Sequence, residues 1–145
     1  MIRGRAICAS AAACAALLVG GCGDGAERAV SAPAKRSIAL TIRFDDGEGQ
    51  RKHGTLGCRS GQERATGIAH PAARTCARIQ RIVPMLIVQP RKDRACTLIF
   101  GGPQRVRVSG TIGGKRVDRR FTRTNGCEIS DYGRLAGALP AIRVR

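Results

Sequence analysis

The placement of cysteine limits this chain more than any other feature. Of the seven cysteines, Cys8 and Cys14 fall inside an amino-terminal apolar run, Cys22 closes it, and Cys58, Cys76, Cys96 and Cys127 are spread over the remainder. Met1-Ile2-Arg3-Gly4-Arg5 is a short basic start and Ala6 to Gly20 carries no charge, which is the layout of an export signal. The run is shorter than the about 20 residues that a bilayer-spanning helix needs. An even set of cysteines in a small exported domain argues for two disulfides. Three pairings of Cys58, Cys76, Cys96 and Cys127 exist, and their positions alone do not choose among them.

Val19-Gly20-Gly21-Cys22 is similar to a bacterial lipobox. Residues 1–21 are therefore expected to be a lipoprotein-type signal peptide, with Cys22 as the lipidated first residue of the mature protein. Ordinary cleavage further along, near Ala32, is the alternative and gives a freely secreted product. Either way the protein is exported, and a lipid at Cys22 would anchor it to the outer side of the cell membrane. Gly23 to Arg36 is small, polar and without apolar periodicity, so residues 22–36 read as lipid-attachment cysteine plus tether. The folded unit is then 37–145. Its aromatic side chains are only Phe44, Phe100, Phe121 and Tyr132. A small aliphatic core leans heavily on covalent staples.

The formal charge is +16, and all basic residues except Lys35, Lys52, Lys92 and Lys115 are arginine. Nucleic acid is nevertheless a poor partner, because the charge is spread along the chain and almost nothing is present for base stacking. A positive surface suits contact with an anionic envelope.

Ser37 to Phe44 alternates, with Ile38, Leu40, Ile42 and Phe44 on one side, which predicts a half-buried strand. Asp45 to Gly54 reads as a polar turn region, Thr55 to Cys58 as a short strand, and Arg59 to Ile68 as a loop. A helix is expected from His70-Pro71, with Ala72, Cys76, Ile79 and Val83 on its inner face and Pro84 as its end. Met85 to Val88 is apolar and of undecided type, and Gln89 to Arg94 is a charged loop. Thr97 to Phe100 and Arg105 to Ile112 read as extended. Gly113-Gly114 is a hairpin turn, and Lys115 to Thr122 is the return strand. Ser130 to Leu139 carries a weak helical pattern. The fold class expected is α+β, an antiparallel sheet of about five strands flanked by two helices.

Little catalytic equipment is visible. His53 and His70 stand far apart, no spacing suits zinc, and Asp45, Asp46 and Glu48 supply too few oxygens for a calcium loop. No nucleophile-elbow signature occurs. The expectation is a protein that is not an enzyme and that holds no metal or cofactor.

Leu40-Thr41-Ile42, Gly47-Glu48-Gly49, Thr55-Leu56-Gly57-Cys58, His70-Pro71-Ala72-Ala73 with Cys76, then Cys96, Gly114-Lys115-Arg116-Val117, and Asn125-Gly126-Cys127-Glu128 follow one another in order along the chain. In that order and spacing they resemble the subtilisin inhibitor-like family of secreted bacterial serine protease inhibitors. Together they cover most of Ile38 to Glu128. The resemblance implies a sheet flanked by two helices, usually a homodimer, with disulfides Cys58–Cys76 and Cys96–Cys127. It also implies a reactive-site loop of Thr97, Leu98, Ile99 and Phe100 with the attacked bond at Leu98-Ile99, and Asn125 bracing that loop by hydrogen bonding. The partner would be an extracellular serine protease of subtilisin or chymotrypsin type. The chain departs from the family pattern at Gly101-Gly102-Pro103, which is one residue longer, at Ile112, where a tryptophan is usual, and in a long tail beyond Cys127. Read from composition alone, Thr97 to Phe100 is equally a buried strand. The alternative function is a protease-silent member of the same fold acting as an envelope-binding lipoprotein.

Overall fold

The computed structural model describes residues 36–143. The expected signal peptide, Cys22 and nearly all of the tether lie outside the described residues.

Alternation builds the middle of the sheet. In β1 (Ile38–Asp45) the side chains of Ile38, Leu40, Ile42 and Phe44 are buried while Ala39 and Arg43 face out. β1 pairs antiparallel on one side with β2 (Arg51–Cys58), register Ile42 to Gly54. The intervening turn is made by carboxylates: Asp45 accepts from the Gly47 N–H at 2.8 Å, and Asp46 accepts from Glu48 and Gln50 at 2.8 and 2.9 Å. These acids are thus spent on backbone donors, as side chains of Asx turns are. β2 begins four residues earlier than expected, because Arg51, Lys52 and His53 are exposed and give no apolar signal. Gly54 is required there, since a Cβ would meet the Thr66 carbonyl oxygen at 2.5 Å and the Ile68 and Ala69 nitrogens at 3.0 Å. The chain crossing it runs from β3 (Arg64–Ala65), a two-residue edge strand inside the expected loop, into a 3-10 turn at Gly67–Ala69.

Helix α1 (Ala72–Ile87) buries Thr75, Cys76, Ile79, Val83 and Leu86 along one face. Pro71 is its N-cap rather than its first residue. Pro84 does not end the helix, contrary to expectation, but lies within it. An interior proline costs about 3 kcal/mol. Continuing one more turn buries Leu86 to 1% exposure and packs Met85 and Ile87 partly against the core. A buried Leu contributes about 1.5–3 kcal/mol, and the two partial burials supply the balance. Cys58 at the end of β2 bonds to Cys76 one turn into α1, fastening the helix across the sheet.

β4 (Arg105–Ile112) pairs with the other side of β1, and β5 (Lys115–Phe121) returns along β4. Gly113 and Gly114 have φ of +55° and +78°, as a two-residue hairpin turn of type I′ demands. The sheet order is β3-β2-β1-β4-β5, all antiparallel. α2 (Gly126–Ala138) starts four residues before the expected Ser130, because Asn125 caps it: its side chain accepts from the Glu128 N–H at 3.0 Å. Leu135, Leu139 and Ile142 are fully buried, and the Tyr132 hydroxyl donates to the Ile142 carbonyl at 2.7 Å. The tail therefore closes the core through a 3-10 turn at Pro140–Ile142. The protein is an α+β domain, a five-stranded antiparallel sheet with two helices and two disulfides.

Candidate functional site

Between the end of α1 and the start of β4 the chain forms no helix or strand apart from one turn at Lys92-Asp93. Its upstream part is held by three attachments. The Arg119 guanidinium, on the core side of β5, donates to the Val88 carbonyl. Arg119 is 5% exposed, and burial lowers its pKa from the ordinary arginine value. Arg94 reaches Asp131 on α2 at 3.1 Å. Two residues later Cys96 is bonded to Cys127 in the first turn of α2. By the chain-entropy account, a bridge with a sequence separation of 31 is worth about 4 kcal/mol.

Immediately after Cys96 the chain is gripped by backbone. The Gly126 N–H donates to the Thr97 carbonyl at 3.0 Å, and the Gly101 N–H donates to the Arg123 carbonyl at 2.7 Å. Glycine gives both grips room. A Cβ on Gly126 would collide with the Thr97 hydroxyl, and one on Gly101 would stand 2.8 Å from two carbons of Ile129. The Arg123 guanidinium donates to Gln104 Oε1 at 2.6 Å and lies 5.6 Å from the Tyr132 ring centre. Glu128 accepts from the hydroxyls of Thr122 and Thr124, which hold its carboxyl below the usual range and tie the loop's landing to α2.

Leu98, Ile99 and Phe100, between the two grips, make no hydrogen bond among the described residues. They are 99%, 57% and 69% exposed. Thr97 to Phe100 belongs to no strand, so the buried-strand reading of this segment is set aside. Three adjacent large apolar side chains in water forgo the 1.5–3 kcal/mol or so that burying each would supply. Such a patch on a small domain makes this segment the candidate contact surface.

Asn125, the residue expected to brace the loop, caps α2 through its side-chain oxygen. The backbone N–H of the next residue, Gly126, supplies the hydrogen bond to the loop at Thr97. Gly126, Arg123, Ile129, Arg119 and the Arg94–Asp131 pair are the supports that sequence reasoning did not single out. Only the adjacency Asn125-Gly126-Cys127 could have flagged one of them, since a glycine beside a bridging cysteine signals close approach of another strand of chain. Replacing Gly126 by valine is expected to leave the sheet and the Cys58–Cys76 region intact while pushing Thr97 off its perch. Limited proteolysis should then cut the loop at least about ten-fold faster than in the parent, in keeping with loss of about one backbone hydrogen bond and its geometry. An unchanged cleavage rate would mean that the grip at Thr97 is dispensable.

The fold and this loop define a disulfide-stapled α+β domain that presents an apolar segment on two backbone clamps. No family model and no curated protein matches the chain. A solved structure to which it is similar is Streptomyces caespitosus sermetstatin in complex with Bacillus licheniformis subtilisin, at 21% identity, covering 75% of this chain and 99% of that chain with a TM-score of 0.43.

Proposed function

We propose that this protein is a substrate-like inhibitor of exported serine proteases of subtilisin or chymotrypsin type, with Leu98-Ile99 as its reactive bond. The observation that carries the reading is the setting of Leu98, almost fully exposed between clamps at Thr97 and Gly101 and two residues beyond a disulfide. Proteases bind substrates as extended chain, and a segment already restrained in place gives up little entropy on docking. Leu98 fills an apolar primary pocket, while Ile99 and Phe100 cover the far side of the cleft. The attacking serine presses on the Leu98 carbonyl, whose oxygen enters the oxyanion hole. Cleavage would free Ile99 as a leaving amine, but the grip on Gly101 keeps it beside the acyl group, so resealing competes with hydrolysis.

Export follows from the same reading, and two disulfides suit an oxidising compartment. We assign residues 1–21 to the signal, Cys22 to lipid attachment and 37–145 to the inhibitor domain. Titrating the purified domain against subtilisin, chymotrypsin and trypsin tests the proposal. Stoichiometric inhibition of the first two, with trypsin spared, is the expected result; absence of inhibition at any excess would favour the envelope-binding, protease-silent reading.

A further inference from the structure

We propose that the open face of the sheet, at the end marked by Asp45, binds a linear phosphodiester polyanion without bases that lies across β2, β1, β4 and β5. This goes beyond inhibition and does not require the loop.

The register sets basic side chains in line. Arg43 of β1 stands between His53 of β2 and Arg107 of β4, and Arg107 stands opposite Arg120 of β5. All four are exposed and alternate with the buried residues of their strands, so they share the face opposite the core. Strands lie about 4.8 Å apart, which makes the row roughly 14 Å long. Like charges side by side on one face of a sheet repel. Acids relieve only part of this row: Asp118 pairs with Arg107 at 2.6 Å, and Asp45 is shared at 3.5 Å by Arg51 and Arg105 in the adjoining row. Among the described residues, Arg43 and Arg120 make no ion pair.

These rows line a groove of about 610 Å³. The charge is concentrated at this end, since the next row across the same strands is Thr55, Thr41, Ser109 and Asp118. Three guanidiniums at strand spacing, Arg43, Arg107 and Arg120, with the His53 ring at the end of the row as a hydrogen-bonding group, match repeated phosphates, each of which can take paired N–H donors from arginine. The outward side chains here include no Phe, Tyr or Trp, and the His53 imidazole is the one ring among them, which disfavours nucleic acid bases. They include no large apolar anchor either: among the described residues the exposed large hydrophobics are Val88 and Leu98 to Phe100, all outside the sheet, so a lipid bilayer is a poorer fit. A second copy stacked on this face would oppose one basic surface with another.

The test is binding of the purified protein to fluorescently labelled poly(glycerol phosphate), followed by anisotropy. Saturable binding lost at about 0.5 M salt is expected. The double variant Arg43→Ser/Arg120→Ser should weaken it by at least about ten-fold. Arg74→Ser/Arg81→Ser, which removes the same charge from the exposed side of α1, should change it less than about three-fold. Unchanged circular dichroism and melting temperature of both variants show that they are folded, and this control holds whether or not the protein inhibits a protease. Equal loss in both pairs would reduce the effect to net charge and overturn the proposal. So would absence of binding, or tighter binding to phosphatidylglycerol vesicles or to oligothymidylate.

Discussion

Leu98→Gly is expected to lower affinity for subtilisin by about 100-fold or more, with no change in thermal stability. Two contributions combine. The side chain is 99% exposed in the free protein, so its removal costs the fold nothing. In the complex it would be buried, and a buried Leu is worth about 1.5–3 kcal/mol. Glycine also loosens the backbone between the clamps, at roughly 0.5–1 kcal/mol. The total of about 3 kcal/mol corresponds to the stated factor. Leu98→Lys separates the register from the mere presence of an apolar patch. An apolar residue at this position leaves the carboxylate of a trypsin-type pocket unpaired, and lysine pairs it. The variant should therefore acquire trypsin inhibition that the parent lacks. Rapid trypsin cleavage after residue 98 with no lasting complex would show the loop to be a substrate. No effect of either substitution would place the reactive bond elsewhere.

The elements that sequence disclosed are those whose burial period is uniform. β1 alternates without exception, and β4 and β5 are joined by a Gly-Gly turn whose positive φ values only glycine adopts easily. What sequence concealed had tertiary causes. β2 is polar at its start because that part of the strand faces solvent, and Pro84 is tolerated because the following turn of α1 has a core to enter. Arg119 occupies an inward position between Val117 and Phe121, where a guanidinium reaches the Val88 carbonyl instead of water. The loop illustrates the same division. Its apolar content was plain, but a run of four apolar or small residues has one composition whether it is buried or displayed. Exposure is decided by Gly126, Gly101 and the Cys96–Cys127 bridge, which belong to segments 20 to 30 or so residues apart in the chain.

On the proposed reading, Cys96→Ser/Cys127→Ser should turn the protein from an inhibitor into a substrate. The bridge closes a separation of 31 residues, and its loss is worth about 4 kcal/mol of stability by the chain-entropy account. Against a marginal total of about 5–15 kcal/mol, a domain that keeps Cys58–Cys76 and its core should still fold at 25 °C but melt well below the parent. Inhibition should suffer more than folding. Once the bridge is gone, Thr97 is held by one hydrogen bond to Gly126 and by Arg94–Asp131 upstream, and a partly exposed ion pair contributes only about 0–1 kcal/mol. The acyl half at Leu98 and the amine half at Ile99 could then separate after attack, and hydrolysis would outrun resealing. Mass spectrometry of the variant with catalytic subtilisin should show progressive cleavage between residues 98 and 99, with enzyme activity returning as cleavage proceeds. The companion Cys58→Ser/Cys76→Ser lowers stability by about 3 kcal/mol through its 18-residue separation. It leaves the loop's attachments in place, so below its own melting point it should still inhibit. If both pairs lose inhibition in proportion to stability alone, rigidity at the loop is not what makes the complex last.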